Sequence, residues 1–139
     1  MPDKDYSATP LWKKFGIKEG SKVVLSGAPR GFASTLKPMP TGVRVSMTAT
    51  RDVDVILLFA MRRADVTRRF SSLAARIAPN GGIWIAYPKK SSGMPTDLTF
   101  EVVQQIGLGA GLVDNKSIAV DEVWSGVRFV YRLKDRPKE

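Results

Sequence analysis

One short segment, residues 88–97 (PKKSSGMPTD), concentrates the polar groups that could bind a ligand. Two lysines precede serine hydroxyls and a glycine, and the segment ends where a helix is predicted to begin. Ammonium groups and free backbone N–H donors at such a place can hold an anion. The candidate ligand-binding residues in this segment are Lys89, Lys90, Ser92, Gly93, Thr96 and Asp97. The alternative is an ordinary strand-to-helix loop with solvated lysines.

A second candidate segment, Gly27–Phe32, follows a short apolar run. Gly27 would let a ligand approach the backbone closely, and Arg30 would supply a guanidinium. We add both residues to the predicted anion site, because ligands of open α/β sheets lie beyond the carboxyl ends of the strands.

Acidic and aromatic residues meet in a third segment, DEVWS at 121–125. If Ser125 and Gly126 form a two-residue turn, Glu122 shares an apolar face with Trp124. Burial there would make Glu122 a candidate general acid or base, with Asp121 and Lys89 as further catalytic candidates. Trp124 and Ser125 complete this predicted hairpin cluster. The alternative for Glu122 is an exposed edge position.

The composition excludes several kinds of chemistry. The 139 residues contain no Cys and no His, which removes thiolate zinc sites, disulfides and Ser-His-Asp triads. We therefore predict no metal site and favour a protein that is not an enzyme. The net charge of +9 lies in the first hundred residues, since residues 101–139 hold six basic and six acidic side chains.

A row of arginines follows one flank of the longest predicted helix. Arg62, Arg69 and Arg76 recur every seven residues, and Asp65 is placed to pair with Arg62 or Arg69. The row could track a phosphate backbone, which makes nonspecific nucleic-acid binding one alternative function. The other interpretation is a solvated helix flank.

Hydrophobic periodicity predicts the elements that position these residues. Predicted strands are Lys22–Ser26, Val43–Met47, Val53–Ala60, Ile83–Tyr87, Ser117–Trp124 and Val127–Leu133, and the two longer helices are Ala64–Ala78 and Thr99–Ala110. Buried strands that alternate with helices indicate a small, truncated Rossmann-like α/β fold with a mainly parallel sheet and an antiparallel C-terminal hairpin. The link Thr48–Asp52 is too short for a helical crossover, so its neighbouring strand must be very short or the link must run back extended.

The chain reads as one domain over residues 9–133, with disordered tails at 1–8 and 134–139. It shows no signal peptide and no apolar run of membrane-spanning length, so we expect a cytoplasmic protein. A homodimer through the hairpin edge is possible, because an unpaired strand can template another.

From Val53 onward the order of elements resembles the second half of class I S-adenosylmethionine-dependent methyltransferases. Asp54 near the start of a strand, the turn Pro79–Gly82 after a helix, and the final hairpin carry this resemblance. It implies a glycine-rich turn after the first strand and an acidic residue after the second. Here Pro29 and Arg30 interrupt that turn, and residues 47–51 hold no carboxylate. We therefore predict no cofactor and disfavour S-adenosylmethionine bound in the usual mode.

The motifs PKK, SG, TDLT, GLVD, VDE and WSG together resemble an uncharacterised bacterial family, over about residues 11–133. That resemblance brings no activity with it. Our leading hypothesis is a non-catalytic module that binds a small anionic ligand or an acidic partner at the strand-end face. The alternative is a divergent enzyme on a methyltransferase-like frame that acts on a phosphorylated or carboxylated substrate.

Overall fold

Six strands form one mixed sheet in the computed structural model, which describes residues 9–135. The strands are β1 Lys22–Ser26, β2 Arg44–Ser46, β3 Val53–Phe59, β4 Ile77–Pro88, β5 Leu112–Ala119 and β6 Trp124–Tyr131. Their order across the sheet is β2-β1-β3-β4-β6-β5. Strands β1 to β4 run parallel to one another, and β6 runs antiparallel to both β4 and β5. The predicted fold class is thus confirmed.

Within residues 9–135, three α-helices accompany the sheet: α1 Leu11–Lys14, α2 Arg63–Ala74 and α3 Phe100–Gly109. Short 3-10 helices cover Phe32–Leu36, Lys90–Ser92 and Leu133–Asp135. The predicted tail at 1–8 and the end of the predicted tail at 134–139 lie outside the described residues.

Each face of the sheet carries its own apolar core. On the first face, helix residues such as Val66, Phe70 and Val103 are buried with side chains of β3 and β4. On the second face, Phe15 before β1 is buried together with Trp84 of β4. Phe32 and Leu36, between β1 and β2, belong to the same core. The Trp84 indole N–H also donates to the carbonyl oxygen of Phe15 at 3.2 Å.

The link between β2 and β3 contains no helix, and the strand before it is very short, as the length of the link predicts. Strand β2 has three exposed residues, and residues 47–52 return to β3 without a helix. Asp52 takes a positive φ of 56° in this link. The first half of the sheet therefore has no helical crossover between these two strands.

The hairpin turn was predicted at the wrong place. Ser125 and Gly126 lie inside β6, and the chain reverses before Trp124. Asp121 causes the shift, because its Oδ1 accepts the backbone N–H groups of Val123 and Trp124, each at 2.8 Å. An aspartate that bonds the backbone two and three residues on makes a turn of its own.

The segment Pro79–Gly82, predicted as the turn after a helix, lies within a strand. Helix α2 ends at Ala74, and Pro79–Gly82 continues β4 instead of ending a helix. A Cβ on Gly81 would lie 2.8 Å from the carbonyl oxygen of Asp54, so only glycine fits here. The β3–β4 register is irregular at this point, which explains why periodicity did not reveal the strand.

Candidate functional site

A cleft of about 550 Å³ opens at the carboxyl ends of β1 and β3. The loop after β1 and the start of α2 form its walls, and Pro95 and Trp124 contribute from the remaining strand ends. Three segments follow the carboxyl ends of parallel strands, at 27–32, 61–63 and 88–97, and the first two meet at this cleft as expected for a parallel sheet. The third contributes Pro95 alone.

Arg69 is the central polar side chain of this cleft. Its Nη1 donates to the hydroxyl of Ser26 at 3.0 Å, and its Nη2 donates to the carbonyl oxygen of Phe59 at 2.9 Å. These bonds join the ends of β1 and β3 through one guanidinium. The Nε atom is buried and has no hydrogen-bond partner among residues 9–135. A buried donor without a partner is unusual and needs an explanation.

Gly27 folds directly over this guanidinium. It has a φ of +71°, and a Cβ at this position would lie 2.8 Å from the Phe59 carbonyl oxygen and 3.1 Å from Arg69 Nη2. Both the backbone conformation and the lack of space require glycine. The predicted site residue Gly27 therefore lies in the cleft, while Arg30 is exposed and does not line it.

Most polar groups of the 88–97 loop hold the loop together. Ser92 Oγ donates to the Lys89 carbonyl oxygen at 2.7 Å and accepts from Met94 N at 3.2 Å. Thr96 Oγ1 donates to the Met61 carbonyl oxygen at 2.6 Å. Asp97 Oδ1 accepts the backbone N–H of Arg63, the first residue of α2, at 2.7 Å. These side chains fix where α2 begins.

The two lysines of that loop lie outside the cleft lining. Lys89 is half-buried, and its backbone N–H donates to the Val123 carbonyl oxygen at 2.7 Å, while Lys90 is exposed. Gly93 ends a 3-10 turn with a φ of 75°. The helix that follows is capped by Thr99, whose side chain accepts from Val102 N. The predicted convergence of this loop on Gly27 is limited to Pro95.

The acidic residues of the hairpin do not share an apolar face with the tryptophan. Glu122 is exposed in the turn, because the true turn precedes Trp124. Trp124 is buried on the second face against Phe59, with ring centroids 5.2 Å apart, and Ser125 pairs with Ala119. Asp121 closes the turn through its carboxylate, so the predicted face that Glu122 and Trp124 would share is wrong.

The arginine row of α2 does not form a continuous track. Arg69 is turned to the strand ends, and Arg76 lies beyond the helix end, where its Nη1 donates to the Ala49 and Thr50 carbonyl oxygens. Asp65 pairs with Arg68 at 3.2 Å rather than with the predicted partners. The one ion pair found among residues 9–135 is therefore this exposed one.

Tyr87 lies at the carboxyl end of β4. Burial, together with the nearby carboxylate of Glu101, raises the pKa of the Tyr87 phenol above its usual value. The phenol therefore stays protonated at neutral pH and adds no charge to this edge.

The residues at this edge do not fit S-adenosylmethionine in the mode that the family resemblance implies. The space between the ends of β1 and β3 is filled by the Arg69 guanidinium and Gly27. Residues 47–51, directly after β2, contain no carboxylate for ribose hydroxyls, and the first one in this link is Asp52 beside β3. Any cofactor of that type would have to displace the Arg69 side chain or bind further out in the cleft.

Sequence reasoning missed Arg69 as a site residue. Its spacing from Arg62 and Arg76 predicts either a row that tracks a phosphate backbone or a solvated helix flank, and neither prediction places Arg69 at the strand ends. The available signal was Ser26, a small polar residue that ends an otherwise apolar strand. A partly buried hydroxyl at a strand end needs a hydrogen-bond partner, but the sequence does not identify Arg69 as that partner.

Several solved structures that share this fold are methyltransferases. A methyltransferase from Aquifex aeolicus, described as SAM-dependent, matches with a TM-score of 0.64 and 17% identity, over 93% of each chain. Magnesium protoporphyrin IX methyltransferase from Synechocystis, solved with bound SAH, matches with a TM-score of 0.58 and 9% identity, over 94% of this chain and 83% of that one. Mitomycin 7-O-methyltransferase matches with a TM-score of 0.65 and 12% identity, over 81% of this chain.

These similarities establish the fold alone, because all the identities are low. The present chain spans about half (49%) of the length of the mitomycin enzyme. No protein-family model matches the sequence, and no curated protein sequence matches it. The resemblance to an uncharacterised bacterial family therefore stays a prediction.

Two features are absent from residues 9–135. No helix there combines the length and the apolar character needed to cross a bilayer. No group of three or more acidic, histidine or cysteine side chains is arranged there to hold a metal ion.

Proposed function

We propose that this chain is a binding module on the methyltransferase fold, and that it takes a small phosphate- or carboxylate-bearing ligand in the cleft beside Arg69. The single observation that supports this proposal is the Arg69 guanidinium, which lines the cleft with a buried Nε that has no partner among the described residues.

The donor count favours an anion over other ligands. A guanidinium carries five N–H donors, and Arg69 is seen to use Nη1 and Nη2 for one bond each. Its remaining donors match the paired oxygens of a carboxylate or phosphate. Arg62 and Asp65 line the same cleft, and the Asp65 carboxylate forms an ion pair with Arg68 at 3.2 Å, so the two arginines that line the cleft are the cations left for a ligand. Phe59 and Trp124 provide apolar surface beside these charges.

Calorimetry with adenosine monophosphate and with uncharged adenosine tests the proposal. We expect adenosine monophosphate to bind and adenosine to bind at least tenfold more weakly. In Arg69→Met the affinity for adenosine monophosphate should fall tenfold to a hundredfold, because a hydrogen bond to a charged group contributes about 1.5–3 kcal/mol. Arg69→Lys keeps the charge without the fork and should give an intermediate value.

Arg44→Met is the matched control, since Arg44 is an exposed arginine on β2 outside the cleft lining. It removes the same charge and should leave the affinity unchanged. Equal losses in Arg44→Met and Arg69→Met would reduce the effect to overall charge and overturn the proposal, as would equal binding of adenosine.

A methyltransferase activity is the second candidate, and the shared fold of the solved methyltransferases supports it. The same calorimeter distinguishes the two functions. Binding of S-adenosylmethionine that is tighter in Arg69→Met than in the original chain would mean that Arg69 occupies a cofactor position. No binding of S-adenosylmethionine to either protein would favour the module.

A further inference from the structure

A second basic cavity lies at the opposite end of the sheet from the Arg69 cleft. It encloses about 290 Å³ on the second face, where β3 starts and β4 leaves its irregular segment. Its lining includes one carboxylate and four basic side chains, namely Asp54, Lys14, Lys18, Lys116 and Arg128. A cavity with this balance of charges attracts anions.

Arg128 projects into this cavity from the middle of β6. Its side chain is half-buried, and burial lowers the pKa of its guanidinium. Among residues 9–135, no carboxylate oxygen lies within 4.0 Å of its nitrogens, and no hydrogen bond from them is found. Within the described part of the chain, this partly desolvated cation has no counterion, an arrangement that is costly unless something pairs with it.

Gly82 makes room for this guanidinium. A Cβ on Gly82 would lie 2.6 Å from Arg128 Nε and 3.0 Å from its Nη2. The guanidinium therefore lies flat against the β4 backbone, and the absence of a side chain at Gly82 sets its position.

The carboxylate in the lining is engaged elsewhere. Asp54 Oδ2 accepts the backbone N–H of Lys22 at 2.8 Å, which ties the start of β1 to β3. Lys116 reaches across the cavity from β5, and its Nζ donates to the Lys14 carbonyl oxygen at 3.4 Å. Among the lining residues that the structure describes, Asp54 is the one carboxylate beside Lys18, Lys116 and Arg128, and it is held by a backbone amide.

We propose that this cavity binds a phosphate group, with Arg128 as the main recognition residue and Lys116 and Lys18 around it. A phosphate dianion suits several cations better than a single carboxylate does, and a guanidinium pairs with two of its oxygens. The cavity volume is at the small end of ligand pockets, so the group must be inorganic phosphate or the phosphate of a small ester.

Titration of the full chain with inorganic phosphate, followed by phosphorus NMR and calorimetry, tests this inference. Glycerol 3-phosphate in a second titration separates a phosphate ester from the free ion, because tighter binding of the ester indicates that the remaining volume is used. Acetate serves as the monoanion and should bind at least tenfold more weakly than phosphate. Failure of phosphate to bind, or equal binding of acetate, would overturn the proposal.

The variants locate the site. Arg128→Met should weaken phosphate binding about tenfold or more, and Arg132→Met, which removes an exposed arginine just after β6, should leave it unchanged. Gly82→Ala keeps every charge but displaces the guanidinium, so it should weaken binding if the position of Arg128 matters. Exposed Lys116 gives Lys116→Met as a variant with little effect on folding.

The two proposed sites can fail separately. Arg69→Met should keep phosphate binding in the second cavity, because Arg69 does not line it. If Arg128→Met and Gly82→Ala both bind phosphate as tightly as the original chain, the cavity is not the site and the inference is wrong.

Discussion

At the scale of single residues, most polar side chains of the loop beside the cleft form hydrogen bonds to the backbone that hold the fold in place. Asp97 shows this most clearly. It was predicted as a ligand contact, but its carboxylate accepts the first backbone N–H of α2 from a distant loop. It therefore acts on that helix as an N-cap does, although it belongs to another segment.

We predict that Asp97→Ala lowers the free energy of unfolding by about 0.5–2 kcal/mol, the usual effect of losing a helix cap. Asp97→Asn should recover most of this loss, since an amide oxygen can accept the same bond. Urea unfolding measures both. Full stability of Asp97→Ala together with loss of adenosine monophosphate binding would instead make Asp97 a ligand contact.

Sequence reasoning located Gly27 in the site but not Arg69, and the reason is physical. The partners of Arg69 lie 43 and 10 positions away, so local spacing contains no trace of them. Gly27 was identifiable because a glycine directly after an apolar strand has few other uses. Residues whose role depends on distant partners cannot be placed from periodicity.

At the scale of elements, β1, β3 and α3 were predicted near their observed bounds, whereas the starts of β4 and β5 and the hairpin turn were not. Strand β1 has its predicted bounds, and α3 lies within its predicted range. The hairpin moved because a carboxylate–amide turn at Asp121 outcompeted the Ser125-Gly126 dipeptide. That choice depends on how β6 registers with β4, which pairs Trp124 with Pro88.

The contact between α3 and β6 supplies the prediction at this scale. A Cβ on Gly107 would lie 2.1 Å from the ring of buried Phe129, so α3 can approach the sheet only through a glycine. We expect Gly107→Ala to destabilise the fold by about 1–3 kcal/mol, the usual effect of overpacking a core.

Gly109→Ala is the matched control in the same helix. A Cβ at Gly109 meets nothing within 4 Å. It should leave stability unchanged or raise it by up to about 1 kcal/mol, because alanine favours a helix over glycine. Equal urea midpoints for the two variants would show that α3 does not rest on Phe129.

At the scale of the whole molecule, the sheet has two differently protected edges. Strand β2 is three residues long, and β5 carries Lys116 and a register irregularity near it. Short edge strands, lysines and bulges all oppose edge-to-edge pairing. Light scattering should therefore give a mass near 15.3 kDa, that of one chain. A mass of twice that value would support the dimer through the hairpin edge that the sequence suggested.

The excess of positive charge is distributed over both ends of the sheet. Arg62 and Arg69 line the cleft at the carboxyl ends of the strands, and Lys14, Lys18 and Arg128 line the cavity at the other end. The sequence placed this excess in the first hundred residues, but it could not show that Arg128 and Lys116 from the balanced final segment join it. The fold therefore brings Lys116 and Arg128 of the final segment beside Lys14 and Lys18 of the first.

The central claim is that a small anion binds at the carboxyl ends of the strands beside Arg69. The most direct measurement is a nitrogen–proton NMR titration of the full chain with adenosine monophosphate. The claim predicts saturable shifts of the Gly27 and Met61 amides and of the Trp124 indole, and their loss in Arg69→Met. Shifts confined to the other end of the sheet, around Lys116 and Arg128, or none at all, would contradict it.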